Sequence, residues 1–223
     1  MRALPNNNAF MGVSLGSRQF SIAYFRHVIE FVRPRFARVL FLIADTPHVY
    51  TFIAIKGTTT ELALGRVRTI GTQKVRSITR AIRGVSGSEN FVEVKRWDEL
   101  ENDMAFRRVR SGIYGLYDTD EIFRRDIADT FIRRLTAYGS TELPEKRYNI
   151  GHRYILEELA AMIFLQEIGG YRTQLAPAEA PEVLVNFYAG KYRSHVMLPK
   201  YAELRPLAHI VVAPNEGRAS ADF

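Results

Sequence analysis

The sequence predicts an α/β fold, a single Rossmann-like domain in which helices flank a parallel sheet. Strand-like and helix-like segments alternate over the first half of the chain, an order that requires parallel strands joined by right-handed crossovers. The segment Ala37–Asp45 is a short, nearly continuous apolar run, typical of a strand covered by helices on both faces. With 223 residues, 47% of them hydrophobic, we expect one domain over residues 1–223, with flexible ends at 1–8 and 215–223.

The first elements follow from periodicity. A strand is expected over Ala9–Gly16, where small and apolar residues alternate and end in a glycine-rich turn. Apolar residues then recur at helical spacing over Ser17–Arg33, until Pro34 ends the helix. After the strand at 37–45, helical character extends over Pro47–Arg83 with a break near Gly57.

The second half of the chain repeats this alternation. A third strand is expected at Asn90–Trp97. Helices follow at Asp98–Arg110, Thr119–Tyr138 and Lys146–Ile168, the last ended by two glycines. Two short late strands are predicted at Thr173–Leu175 and Val183–Tyr188.

The composition excludes several classes of protein. The chain contains no cysteine, which rules out disulfides, thiol nucleophiles and thiolate zinc sites and favours the cytoplasm. Its five histidines show no metal-ligand spacing, so we expect no metal. No apolar run approaches the roughly 18 to 20 residues of a membrane span, and the polar start lacks a signal-peptide core. We expect a monomer that does not enter membranes.

The charge favours a polyanionic partner. The net charge is +7, and 25 of the 31 cationic residues are arginines, whose planar fork suits phosphate. Six cations fall on the predicted helix Thr60–Arg83, against the single acid Glu61. They are Arg66, Lys74, Arg76, Arg80, Arg83 and Arg68. The spacing of Arg76, Arg80 and Arg83 aligns them on one face of the helix. This face would either bind a phosphate backbone or be solvated and neutralised by acids elsewhere in the fold. Further arginines between Arg107 and Arg134 would extend this surface, diluted by acids among them.

The strand ends are the first places to look for chemistry, because open α/β sheets bind ligands at the carboxyl ends of their strands. Ser14 ends the first predicted strand between two glycines, a position that exposes a hydroxyl as a nucleophile. Alternatively, Ser14 or Ser17 caps the next helix. Asp45 ends the second strand, and His48 follows as a possible base, although a packing role or a role at the helix start is favoured.

A second candidate lies on the late helix. Tyr154 and Glu158 are four residues apart and share a face, where a phenol beside a carboxylate can hold an amino group and pass on its proton. Glu157 points about 100° away and is expected to be solvated or paired to a cation. The alternative is an ordinary amphipathic helix with surface carboxylates.

Three motifs in a fixed order resemble the cyclodipeptide synthases. They are GVSLGS around Ser14, FLIADTPH at the end of the second strand, and RYILEEL in the late helix after a basic helical region. The resemblance covers about Phe10–Pro177. It implies a fold similar to the catalytic domain of class I tyrosyl- and tryptophanyl-tRNA synthetases, without their ATP-binding motifs.

The resemblance also implies a reaction. Two aminoacyl-tRNAs would react in turn through an aminoacyl group on Ser14 to give a 2,5-diketopiperazine, with no ATP and no cofactor. Tyr154 and Glu158 would bind the amino group of the seryl-linked amino acid. Substrate-binding positions by the same resemblance are Phe10, Gly12, Ser17, Leu42, Ala44 and Pro177. The basic helix would hold tRNA through Arg66, Lys74, Arg76, Arg80 and Arg83.

The sequence departs from the family pattern at one position. Ser17, where one branch has asparagine, assigns the chain to the other branch, which usually carries Tyr-Pro about two dozen residues after the first tyrosine. Here the region ends in Ala176-Pro177, so the proline is present without the tyrosine. Three explanations are open. A nearby phenol such as that of Tyr171 or Tyr188 would replace the missing tyrosine, or the chain would belong to a divergent branch like the fungal arginine-using synthases. The third is that activity would be impaired. The rival functions are a non-catalytic tRNA-binding relative and a serine hydrolase with His48 as base.

Overall fold

The computed structural model describes residues 7–17, 19–137, 143–192 and 208–213. Its strands are β1 Asn8–Val13, β2 Arg38–Ile43, β3 Val92–Arg96, β4 Thr173–Ala176 and β5 His209–Val211. They form a five-stranded sheet in the order β3-β2-β1-β4-β5, in which every pairing is parallel. The predicted α/β class with a parallel sheet is therefore confirmed.

Helices cover both faces of the sheet. They are α1 Ile22–Val32, α2 Asp45–Lys56, α3 Thr60–Arg83, α4 Trp97–Glu101, α5 Met104–Thr119, α6 Glu121–Ala137, α7 Glu145–Glu167 and α8 Glu182–Tyr188. Helix α7 is the most deeply embedded, since it packs against α2, α5 and α6. Among the described residues, no helix is long and apolar enough to span a membrane.

Two separate cores result from the alternation of side chains along the strands. Met11 and Phe41 face α1 and α3 on one side of the sheet. Phe10 and Leu42 face α5, α6 and α7 on the other side. The basic helix α3 and the Tyr154-bearing helix α7 therefore lie on opposite sides of the sheet.

The first helix begins later than predicted. Ser21 caps α1, because its backbone is extended and its hydroxyl accepts a hydrogen bond from the Tyr24 amide at 3.2 Å. The Ser17 hydroxyl instead accepts from the Gln19 amide at 3.3 Å and stabilises a turn. The interpretation of Ser14 or Ser17 as the helix cap was therefore wrong.

The segment Val183–Tyr188, predicted as a strand, is helix α8. Pro181 sets its start, and Val183, Leu184 and Phe187 are buried while Val185 is 45% exposed, which is helical and not alternating burial. The prediction missed β5, three residues whose pairing with β4 is long-range. It also missed a break at Asp103, which caps α5 through the amides of Ala105 and Phe106.

The predicted flexible ends cannot be compared with the structure along most of their length. Residues 1–6 and 215–223 lie outside the described residues. Asn8, which was included in the amino-terminal end, is the first residue of β1.

Close packing at Gly151 generates a first prediction. A Cβ atom at Gly151 would lie 1.9 Å from Cζ of Phe131, a buried ring packed against Tyr148 and His152. We expect Gly151→Ala to lower the free energy of unfolding by about 1–3 kcal/mol, as overpacking does. At Gly65, also helical, a Cβ atom meets nothing within 4 Å, so Gly65→Ala should stabilise by about 0.5–1 kcal/mol. Urea denaturation measures both, and equal effects would contradict the packing argument.

Candidate active site

Ser14 lies directly after β1, the central strand, and is half-buried. Its side chain lies beside the hydroxyl of Tyr154, which is 2% exposed on α7, and this proximity acts to lower the pKa of the phenol against the larger effect of burial. The Tyr154 hydroxyl in turn donates a hydrogen bond to Oε1 of Glu158. The fold thus brings Ser14 next to the Tyr154 and Glu158 pair, which lies far away in the sequence, and the three side chains form one polar chain.

Arg134 on α6 completes this chain. Its Nη2 lies 2.5 Å from Oε2 of Glu158, and its guanidinium lies 4.6 Å from the centroid of the Tyr154 ring. Burial acts to lower the pKa of Arg134, but the charge of Glu158 outweighs it and raises the pKa. Burial and the charge of Glu158 raise the pKa of Tyr154, so the phenol is a proton donor to Glu158.

Sequence reasoning counted Arg134 as a possible extension of the basic surface and missed its place in the site. One signal was available. Arg134 falls at helical spacing after Ile127 and Phe131, which are buried, so it continues an apolar stripe. A charged residue within an apolar stripe indicates that it pairs with an oppositely charged side chain in the interior.

His48 packs against this chain and is not linked to the serine. Its ring contacts Tyr154 edge to face, with ring centroids 5.5 Å apart, and the residue is 4% exposed on α2. Burial, together with the charge of Arg134, lowers the pKa of His48 to about 4, so the imidazole is neutral at pH 7. No hydrogen bond joins His48 to Ser14 within the described part of the chain, which agrees with a packing role.

An open space lies beside Ser14. Gly12 pairs with Leu42 across β1 and β2, and a Cβ atom at Gly12 would meet no other atom within 4 Å. Phe10 lies two residues before Gly12 on the same face of β1, Leu42 is the partner of Gly12 on β2, and Ala44 follows β2; all three are at most 3% exposed. Pro177 follows the carboxyl end of β4 and is half-buried. Gly12, Leu42, Ala44 and Pro177 therefore lie toward the carboxyl ends of the strands, where Gly12 is exposed, whereas Phe10 lies in the middle of β1.

Neither candidate phenol reaches Ser14. The Tyr171 hydroxyl donates to Glu93 on β3, and Tyr171 itself precedes β4, at the amino ends of the strands. Burial raises the pKa of Tyr188, as does the charge of Glu167 beside it. Glu167 is thirteen residues beyond Tyr154, which is roughly 20 Å along a helix. Substitution of the missing tyrosine by Tyr171 or Tyr188 is thus not observed.

Asp45 is engaged in a structural ion pair. Arg96 donates to Oδ2 of Asp45 from Nε at 2.7 Å and from Nη2 at 2.5 Å, and the aspartate is 5% exposed. Oδ1 accepts from the amide of Thr46 at 3.0 Å. Asp45 therefore joins the start of α2 to the end of β3 and does not project into the site. No three His, Asp or Glu residues in the described ranges are placed to hold a metal ion.

Helix α3 presents a row of unpaired arginines. Arg76, Arg80 and Arg83 are exposed and form no ion pair with any described residue, and the same holds for Arg66 and Arg68. The alternative that acids elsewhere in the fold neutralise this face is therefore not observed among the described residues. The arginines on α5 and α6 do not extend it, since those helices lie across the sheet.

Lys74 differs from its neighbours on α3. Its ammonium donates to the carbonyl of Phe20 at 2.9 Å and lies 3.5 Å from that of Ser17. Burial lowers the pKa of Lys74. At 100° per residue, Lys74 points away from Arg76, Arg80 and Arg83. It therefore holds the loop that follows Ser14 and is not part of the exposed cationic row with which it was predicted.

Glu157 is buried and paired. It is 5% exposed, accepts a hydrogen bond from Tyr114 at 2.9 Å and lies 3.9 Å from Arg110. Burial raises the pKa of Glu157, although Arg110 opposes this. Of the two predicted environments, pairing to a cation is the observed one. Glu157 faces α5, away from Tyr154.

The strand order and the position of the site define a Rossmann-like α/β protein, in which function resides at the carboxyl ends of parallel strands. Within this class, a family model described as cyclodipeptide synthase matches residues 5–171 of the sequence. Because the match covers well over half of the chain, the protein belongs to the cyclodipeptide synthase family.

Solved structures share the fold. A cyclodipeptide synthase from Fluoribacter dumoffii is 20% identical, with a TM-score of 0.75 over 93% of this chain and 89% of that one. A Mycobacterium tuberculosis protein whose structure relates cyclodipeptide synthetases to type I tRNA synthetases is 19% identical, with a TM-score of 0.73 over 94% and 87%. The synthase from Candidatus Glomeribacter gigasporarum, bound to Phe-tRNAPhe, is 17% identical, with a TM-score of 0.65 over 97% and 91%. A search of curated protein sequences gives no significant match.

The role of Lys74 generates a second prediction. We expect Lys74→Met to speed amide hydrogen exchange in residues 15–20, because the loop loses its hydrogen bonds to the ammonium. Arg76→Met, on the exposed side of the same helix, is the matched control and should leave exchange there unchanged. Mass spectrometry of peptides after deuterium exchange measures both. Unchanged exchange in Lys74→Met would show that the loop is held by other contacts.

Proposed function

We propose that this protein joins the amino acids of two aminoacyl-tRNAs into a cyclic dipeptide, a 2,5-diketopiperazine, through an aminoacyl ester on Ser14. The observation that carries the proposal is the polar chain of Ser14, Tyr154 and Glu158, beside the open space at Gly12. It combines a nucleophile, a route for its proton and room for a side chain. Membership of the family supports the same chemistry.

The first step loads the enzyme. The Ser14 oxygen attacks the ester carbonyl of the first aminoacyl-tRNA, and the ribose oxygen leaves. The serine proton has a path to Tyr154 and Glu158, from which it can return to the leaving ribose oxygen. No ATP enters, because the tRNA ester already carries the activation. Gly12, beneath which Phe10 and Leu42 are buried, accommodates the amino-acid side chain.

The second and third steps form the two amide bonds. The amino group of the aminoacyl-Ser14, held by Tyr154 and Glu158, attacks the carbonyl of the second aminoacyl-tRNA and forms a dipeptidyl-enzyme. The amino group of the second residue then attacks the Ser14 ester. The ring closes, the C–O bond to Ser14 breaks and the serine is regenerated.

Helix α3 supplies the tRNA-binding surface in this proposal. Its exposed arginines, which have no ion-pair partner in the described part of the chain, repel one another, and a phosphate backbone relieves that repulsion. A relative of the same fold is bound to Phe-tRNAPhe, which supports tRNA as the polyanion. Lys74 links this helix to the loop after Ser14, so the surface and the nucleophile share one support.

A second candidate function is tRNA binding without catalysis. One observation favours it: the family's second tyrosine is replaced by Ala176, before Pro177. Among the described residues, Tyr154 is the phenol beside Ser14, and neither Tyr171 nor Tyr188 takes the place of the missing one. The serine hydrolase alternative has no such support, because His48 is a packing residue.

The reaction is tested by mass spectrometry of the medium from a bacterial host that expresses the chain. We expect diketopiperazine masses with the wild type and none with Ser14→Ala, because the variant cannot carry the aminoacyl group. Ser86→Ala, an exposed loop serine away from the site, is the control and should retain the product. Product from Ser14→Ala would overturn the serine intermediate. No product from the wild type, with tRNA still bound, would favour the non-catalytic candidate.

The tRNA surface is tested by charge reversal. Arg76→Glu combined with Arg80→Glu should weaken tRNA binding and reduce the slope of log K against log salt by about two, one for each lost phosphate contact. The matched control is Arg108→Glu with Arg125→Glu, which changes the net charge equally at exposed positions on α5 and α6. Filter binding over a salt series measures both pairs. Equal slopes for the two double variants would exclude α3 as the specific tRNA surface.

A further inference from the structure

The amide-forming step needs a neutral amine. An ordinary α-amino group has a pKa of about 7.7–8.0, so much of it is protonated at pH 7 and cannot attack. A carboxylate within about 4–6 Å favours the ammonium form further. Tyr154 and Glu158 alone would therefore bind the amino group of the aminoacyl-Ser14 tightly in its unreactive form.

Arg134 removes this difficulty. One oxygen of Glu158 accepts the Tyr154 hydrogen bond, and the other lies 2.5 Å from Nη2 of Arg134. The guanidinium is fixed by its second contact, 4.6 Å from the Tyr154 ring centroid. The position where an amine would meet Tyr154 and Glu158 is thus next to an ion pair, not next to an isolated negative charge.

The other groups around this position do not change that balance. In the described ranges, the titratable and charged side chains that face it are His48 on α2, Arg134 on α6, and Tyr154 and Glu158 on α7. Ser14 completes the set and is uncharged. His48 is neutral at pH 7. The net charge facing the amine is therefore zero with Arg134 and −1 without it.

We propose that Arg134 keeps the α-amino group of the aminoacyl-Ser14 in its neutral, nucleophilic form by cancelling the charge of Glu158. This inference rests on the proposed function and names a positioning residue for its second step. The amine lone pair forms the C–N bond to the second ester carbonyl, and the C–O bond to the ribose breaks. The proton released by the nitrogen passes to Glu158 and then to the leaving ribose oxygen.

The neighbouring Arg133 shows that the arrangement is specific to Arg134. Arg133 points to solvent and pairs with Glu182, and both side chains are 59% exposed. Arg134 instead lies on the buried side of α6, where its side chain is 32% exposed. The chain therefore offers a matched control one residue away.

The experiment measures the two steps separately in Arg134→Gln, with Arg133→Gln as control. Intact-protein mass spectrometry follows loading of Ser14 by the first aminoacyl-tRNA, and rapid quench follows dipeptide formation from preloaded enzyme between pH 6 and 9. We expect loading within about twofold of the wild type. Dipeptide formation should fall about tenfold at pH 7 and recover near pH 9, a rise of about one unit in the apparent pKa. Arg133→Gln should leave both steps unchanged.

A double variant separates charge cancellation from simple structural support. Glu158→Gln leaves Arg134 uncompensated and should move the midpoint of the pH profile below that of the wild type, whatever its effect on rate. Arg134→Gln with Glu158→Gln has no net charge at the site and should return the midpoint to the wild-type value. This variant also keeps the test valid if Arg134→Gln alone does not fold.

Two results would overturn the inference. One is a loss in Arg134→Gln that is the same for loading and dipeptide formation at every pH, and the other is a double variant whose midpoint stays displaced. Failure of the proposed function is distinguishable from both, because the wild-type enzyme would then neither load Ser14 nor release a diketopiperazine.

Discussion

The parallel pairing of β1 between β2 and β4 is the constraint on which the rest of the structure depends. It places the end of β1 at the centre of the sheet edge, where Ser14 emerges among the carboxyl ends of its neighbours. The same register sets Gly12 beside Leu42 on the side that faces α7. A shift of one residue would turn Gly12 toward α1 and α3 and separate Ser14 from Tyr154.

The sheet also separates the two regions to which functions are proposed here. Helices α1 and α3 cover one side and carry the exposed cationic row, whereas α5, α6 and α7 cover the other and enclose the polar chain. The proposed tRNA binding needs an open surface with unpaired positive charge, and the proposed proton transfer needs a position sheltered from water. Lys74 connects the two sides, since it reaches from α3 to the loop behind Ser14.

Three carboxylates in the interior around the candidate site are each paired with an arginine. Glu158 with Arg134, Asp45 with Arg96 and Glu157 with Arg110 each join two different elements. Desolvation would make each of these carboxylates costly alone, so its arginine partner is required for it to remain in the interior. These pairs fix the helices that surround the strand ends, and one of them also sets the charge beside Ser14.

Periodicity and composition in the sequence determined the α/β class, most element positions, the Tyr154 and Glu158 face of α7 and the outward row at Arg76, Arg80 and Arg83. These are local properties, because helical spacing and strand alternation are read within a few residues. Only the tertiary structure decided that Arg134 pairs with Glu158, that Lys74 turns inward and that Val183–Tyr188 is helical. Those outcomes depend on which distant side chain fills the space opposite, and no spacing within one segment encodes that neighbour.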